Sequence, residues 1–83
     1  MDIGWAVQQM KEGKRVQRPG WNGKGMWIYI EHCFPRELRE WNKLSPWLPC
    51  VIMHTAQGGE QPGWLCSQAD LLADDWELCQ ETV

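Results

Sequence analysis

The chain has 83 residues, a formal net charge of −3 and seven tryptophans. That length holds one small domain, which buries only about 60% of its unfolded surface and is marginal alone. The acidic balance excludes a general DNA or RNA binder, which needs a basic stripe to displace counterions. It leaves room for a small anionic ligand, because Lys14, Arg15, Arg18 and Lys24 gather near one glycine-rich segment. No apolar run reaches the roughly 20 residues needed to span a bilayer.

In chain order, Asp2 stands as an N-cap before Ile3, Ala6, Val7 and Met10, which recur at helical spacing. Gly13 is the expected stop. Val16 to Arg18 reads as a short strand ended by Pro19-Gly20, and Met26 to Ile30 as a strand apolar on both faces. Residues 32–49 form an excursion carrying Pro35, Pro46 and Pro49, with a turn or two of helix over Arg36 to Lys43. Cys50 to His54 reads as a strand, Gln57 to Gly63 as a hairpin loop, and Trp64 to Cys66 as the returning strand. Ser67 caps a short helix that continues through Leu71 to Asp74. Trp76 to Cys79 closes as a last strand.

This order predicts an α+β fold, a single domain over 1–83. Its N-terminal helix covers one face of a small antiparallel meander, and a short helix precedes the last strand. Each tryptophan can bury on the order of 200 Å², more than so small a core encloses seven times. The surplus, with the two-sided strands, predicts a symmetric oligomer in which a second copy covers the other face.

Cys33, Cys50, Cys66 and Cys79 lie 17, 16 and 13 positions apart, without a Cys-x-x-Cys knuckle. The expectation is buried, reduced thiols, no metal and no cofactor. The opening Met1-Asp2-Ile3-Gly4 has no export signature, which points to the cytosol. No Ser–His–Asp grouping or Gly-x-Ser-x-Gly elbow marks a catalyst, and Asp74-Asp75 is read as a solvated capping pair.

The segment Arg18-Pro19-Gly20-Trp21-Asn22-Gly23-Lys24-Gly25-Met26 carries the most chemistry. Glycines expose backbone N–H groups that cradle anions, and Trp21 offers a stacking face for a base. Asn22 has the groups to bond a base edge or ribose, and Lys24 and Arg18 the charge to meet phosphate. Ser67, Gln68 and Asp70 present a hydroxyl, an amide and a carboxylate at one helix start. A carboxylate there can accept from a ribose diol. Each also has a plain structural reading: turn glycines, a core indole, solvated charge, a helix cap.

The chain resembles the second Thoeris anti-defence family over nearly its whole length. The resemblance runs through Ile3-Gly4-x-Ala6, Gly13-Lys14-x-Val16-x-Arg18 and Gly20 to Met26. It continues with Ile52-Met53-x-Thr55-Ala56-x-Gly58 and Trp64-x-x-Ser67-Gln68-x-Asp70-Leu71-Leu72-Ala73-x-Asp75-Trp76. His32 to Leu48 departs from the family in detail, and His54 stands where a lysine is the family expectation. The resemblance implies a phage or prophage sponge in the bacterial cytoplasm, a homotetramer or dimer that binds cyclic ADP-ribose isomers without cleaving them. Cyclic dinucleotides are a second ligand class for some relatives. The implied ligand-binding set is Arg18, Trp21, Asn22, Gly23, Lys24, Thr55, Ala56, Ser67, Gln68 and Asp70, with no catalytic residue and no DNA, RNA or membrane partner. The alternatives are a phage protein-interaction module, with Trp41 and Trp47 as contact residues, and a small hydrolase of the same nucleotides.

Overall fold

The computed structural model describes residues 1–21, 25–32 and 48–79. The first helix, α1 (Ile3–Lys11), starts where the sequence expects: the Asp2 carboxylate accepts from the Trp5 N–H. It ends at Glu12, where Gly13 takes φ +88°, a left-handed angle open to glycine.

Among the described residues five strands follow: β1 (Val16–Gln17), β2 (Trp27–His32), β3 (Pro49–His54), β4 (Glu60–Pro62) and β5 (Glu77–Leu78). They form one sheet in the order β4-β3-β2-β1-β5, each neighbouring pair antiparallel. The first four make the expected meander. β5 returns across the sheet to pair with β1 (Val16↔Leu78). The short helix α2 (Gln68–Leu71) lies between β4 and β5, with Ser67 as its N-cap.

Register assigns the two faces, because successive side chains alternate across a strand. Val16, Ile28, Met53 and Gln61 share the inner face, against which α1 packs. There Ala6, Met10, Val16, Ile28 and Trp76 form the buried core. Trp27, Tyr29, Ile52, His54 and Glu60 share the outer face. Of the five described tryptophans only Trp76 is buried; Trp5, Trp21, Trp27 and Trp64 are half-buried. This agrees with a core too small for them all.

Three expectations need correction. The returning strand is Glu60–Pro62, not Trp64 to Cys66. The turn closes earlier than its glycines imply: the Thr55 N–H donates to the Gly59 carbonyl at 2.8 Å, and the Gly58 N–H to the Thr55 carbonyl at 2.9 Å. Pro62 is tolerated because β4 is an edge strand. Gly63, at φ +80°, then turns the chain away, and the Gly63 and Trp64 N–H groups both donate to the Val51 carbonyl. α2 ends at Leu71 rather than running on to Asp74, with Leu72 as its C-cap.

The cysteines also differ from expectation. Cys50 is disulfide-bonded, to a partner outside the described residues. Cys66 is exposed and Cys79 half-buried, and neither is in a disulfide. A bond between segments far apart in sequence has no local spacing signature, which is why the reading from spacing misses it. Cys33, Trp41, Trp47 and the expected helix over Arg36 to Lys43 lie outside the described residues. Among the described residues, no group of three His, Cys, Asp or Glu side chains is placed to hold a metal, and no helix is long and apolar enough to cross a membrane.

Candidate functional site

The site forms where two short, locally determined pieces meet. The first is the turn Arg18–Trp21, with Pro19 in its second position and the Trp21 N–H donating to the Arg18 carbonyl at 3.2 Å. It presents Arg18 and Trp21 together. The second is the start of α2, where the Ser67 hydroxyl accepts from the Asp70 N–H at 3.1 Å. That capping bond fixes Asp70 in the first helical turn.

Asp70 is the hub. Its Oδ1 accepts from Arg18 Nη1 at 2.7 Å and from Trp21 Nε1 at 3.0 Å. Its backbone carbonyl accepts from Trp76 Nε1 at 3.0 Å. Arg18 also reaches Asp75, Nε to Oδ1 at 2.6 Å. The Arg18 and Asp70 side chains are 21% and 15% exposed, so both are largely out of water. Pairing is what makes this burial tolerable.

The titration behaviour follows from this geometry. Burial pushes the Asp70 carboxyl up, but hydrogen bonds from Trp21, Arg18 and Ser67, with the Arg18 charge, outweigh it and hold Asp70 below the usual carboxylate range. Asp75 is also lowered, chiefly by its hydrogen bond from Arg18. The bonds to Asp75 and Asp70 raise Arg18. The site therefore holds a fixed carboxylate at neutral pH. Asp70 Oδ1 takes the Arg18 and Trp21 bonds together, and the Ser67 hydroxyl adds to the hold on the carboxylate.

Aromatic rings surround the hub. Trp21 meets Trp76 edge-on (centroids 5.4 Å, 88°) and Trp64 at a tilt (6.3 Å, 52°). Trp64 and Trp76 are perpendicular at 6.3 Å. These are the arrangements ring quadrupoles favour. Among the described residues no ring lies flat on Trp21 or Trp64. Beyond Trp64 a cavity of about 240 Å³ opens, lined by Met53, Gln61, Gly63, Trp64 and Leu65. A second hollow of about 390 Å³, at Gly13, Lys14, Arg15, Leu78 and Cys79, contains none of the expected site residues.

The structure thus brings together Arg18, Trp21, Ser67 and Asp70 from the expected set. Arg18 is committed to two carboxylates within the chain. Gln68 is exposed at the start of α2. Thr55 and Ala56 belong to the β3–β4 turn, where the Thr55 hydroxyl accepts from the Gly59 N–H at 3.0 Å. Asn22, Gly23 and Lys24 lie outside the described residues.

Sequence reasoning missed Asp75, read as a solvated cap, and the cavity residues Gln61 and Trp64. The available signal for Asp75 was the surplus of late acids opposite an early arginine. His54, at the position of the family lysine, points to the outer face. There it stacks on Trp27 (3.9 Å, 6°) and pairs with Glu60, on the side of the sheet away from Trp21.

Residues 1–79 match the profile of the Thoeris anti-defense 2-like domain. The chain belongs to the Thoeris anti-defense 2 family. It is 30% identical over 84 residues to Thoeris anti-defense 2 of Bacillus phage SP01, covering 94% of this chain and 93% of that protein. The family match thus spans the Arg18–Trp21 turn and the α2 start alike.

Proposed function

We propose that this chain is a phage anti-Thoeris protein that binds and sequesters a cyclic ADP-ribose-type signal without cleaving it. Family membership supports the anti-Thoeris role. The observation that carries the ligand reading is the Trp21–Asp70 pair. An indole on which no described ring lies flat is hydrogen-bonded at 3.0 Å to a carboxylate that Arg18 holds ionised. The indole is suited to stack an adenine and the carboxylate to accept from a ribose hydroxyl. Capture needs no nucleophile, and the acids of this site are engaged by Arg18 rather than poised as a matched acid and base.

Self-association belongs to the same proposal, as a tetramer or, failing that, a dimer. Leu65 and Leu72 are 89% and 75% exposed, and four of the five described tryptophans keep some surface in water. Light scattering should show a multiple of 9.7 kDa; a monomer across the working range contradicts it.

The test is to mix the purified chain with cyclic ADP-ribose isomers, cyclic dinucleotides and linear ADP-ribose, and to follow free ligand. The expected result is depletion of a cyclic ADP-ribose isomer and its intact recovery after heating. Recovery of a cleaved product would establish a hydrolase. Depletion of nothing would leave the protein-interaction module, with the exposed leucines as its contacts.

A further inference from the structure

Asp75 lies outside the turn that presents Trp21 and outside α2, yet it decides where Arg18 points. Arg18 turns the Nε edge of its guanidinium toward Asp75, with Nε to Oδ1 at 2.6 Å and Nη2 to Oδ2 at 3.5 Å. A planar fork met along one edge by a carboxylate is fixed in orientation as well as in place. Its Nη1 is thereby delivered to Asp70 Oδ1 at 2.7 Å. The same oxygen accepts from Trp21 Nε1 at 3.0 Å. A run of hydrogen bonds thus leads from Asp75 through Arg18 and Asp70 to the Trp21 indole.

We propose that Asp75 is a positioning residue for the ligand: through Arg18 and Asp70 it sets the orientation of the Trp21 indole, without touching the ligand itself. This deepens, and rests on, the nucleotide-sequestering function proposed above. Three observations carry it. The first is the anchoring of Asp75. The next residue, Trp76, is 1% exposed, donates its indole N–H to the Asp70 carbonyl at 3.0 Å and donates its backbone N–H to the Met1 carbonyl at 2.9 Å. Glu77 follows as the register partner of Gln17 on β1. Asp75 is therefore held by a buried neighbour and a paired strand, while Arg18 is a long side chain that needs a fixed point at its far end.

The second is charge. Arg18 and Asp70 already neutralise each other, so Asp75 is not needed to offset a buried charge. Its side chain is also the most exposed of the three, at 40% against 21% for Arg18 and 15% for Asp70. What Asp75 adds is a second point of attachment for the guanidinium.

The third is the ring itself. Trp21 is half-buried and meets Trp76 edge-on and Trp64 at a tilt. Contacts of that kind accept a range of ring rotations, and the bond from Nε1 to Asp70 selects one. A ring already held in its binding orientation spares the ordering cost that association otherwise carries, about 0.5–1.5 kcal/mol for each side chain immobilised.

The experiment titrates a cyclic ADP-ribose isomer into the full chain by calorimetry, using wild type, Asp75→Ala, Asp75→Glu, Trp21→Ala and the Trp21→Ala/Asp75→Ala double variant, each checked for folding. Asp75→Ala should weaken binding about three- to tenfold, and Asp75→Glu should recover part of the loss. In the Trp21→Ala background the same change should add nothing, because Asp75 acts only through the indole. Asp75→Asn keeps the side-chain shape but cannot accept at both positions; it should show the same pattern more weakly, and it replaces Asp75→Ala if that variant does not fold. Without ligand, the NMR resonance of the Trp21 indole N–H should move and exchange faster with solvent in Asp75→Ala, while that of Trp76 stays in place. A merely structural role would disturb both indoles alike.

Unchanged affinity in folded Asp75→Ala, an equal loss with and without Trp21, or an unmoved Trp21 resonance overturns the positioning role. If wild type still depletes the cyclic ligand in those cases, the sequestering function stands without it. If no cyclic nucleotide is depleted, the sequestering function fails and the ligand role of Asp75 falls with it; a selective shift of the Trp21 resonance would then show that the hydrogen-bonded link to the indole is real.

Discussion

The two faces of the sheet are stabilised in different ways. On the inner face, Arg18, Trp21, Asp70, Asp75 and Trp76 come from segments as far as 57 positions apart and meet at one carboxylate. On the outer face, Arg15 lies 5.0 Å over Trp27, Trp27 stacks on His54, and Glu60 accepts from Tyr29 at 2.8 Å. Those partners share one face of the sheet, where Arg15, Trp27, Tyr29 and His54 are half-buried and Glu60 is exposed. A network that ties distant segments is coupled to global folding. A cluster confined to one sheet face reports more local order. Damage to the inner face should therefore cost both stability and binding, and damage to the outer face little of either.

The largest effect expected is from Trp76→Ala. Trp76 is 1% exposed, and removing a buried indole leaves a cavity and two lost ring contacts. Chemical denaturation should show a loss of about 3–5 kcal/mol. A loss under about 1 kcal/mol would mean the inner face is not the core.

Next is acid. Asp70 and Asp75 are both held below the ordinary carboxylate range. The unfolded chain takes up their protons near pH of about 4, before the folded chain does. Their contribution is therefore full above that pH and is lost as pH falls through it toward the folded values. The melting temperature should drop on acidification, and Arg18→Gln should both lower it at neutral pH and flatten its pH dependence. An unaltered pH profile in that variant would separate the two aspartates from Arg18.

The smallest is Tyr29→Phe, which removes the hydrogen bond to Glu60 on the outer face. Burial, then that bond, pushes the Tyr29 hydroxyl up to about 12, so it is a neutral donor at physiological pH. Because the bond is exposed, its loss should cost less than about 1 kcal/mol in the same denaturation experiment. A larger loss would show that the outer face is tied to global stability as well.

Much of the fold is legible in the chain because its signals are local. Asp2, Gly13 and Ser67 mark helix ends by backbone chemistry that needs no distant partner. Trp27 to Ile30 and Cys50 to His54 are apolar enough to read as strands. β4 is not legible: Glu60-Gln61-Pro62 is polar and proline-bearing, and only its place at the sheet edge makes it a strand. Trp64 to Cys66 reads as a strand by hydrophobicity, yet Gly63 has already turned the backbone away. In the site, Trp21 and Asp70 stand out by residue type. Their union with Asp75, and the cavity at Gln61, depend on a meeting between segments that no local spacing records.

The most direct test is a calorimetric titration of one cyclic ADP-ribose isomer into wild type, Trp21→Ala and Tyr29→Phe, each confirmed as folded. If the inner face holds the ligand, Trp21→Ala weakens binding about ten- to hundredfold, the value of one stacked base, and Tyr29→Phe leaves it unchanged. Equal affinity in wild type and folded Trp21→Ala, or a loss confined to Tyr29→Phe, contradicts it.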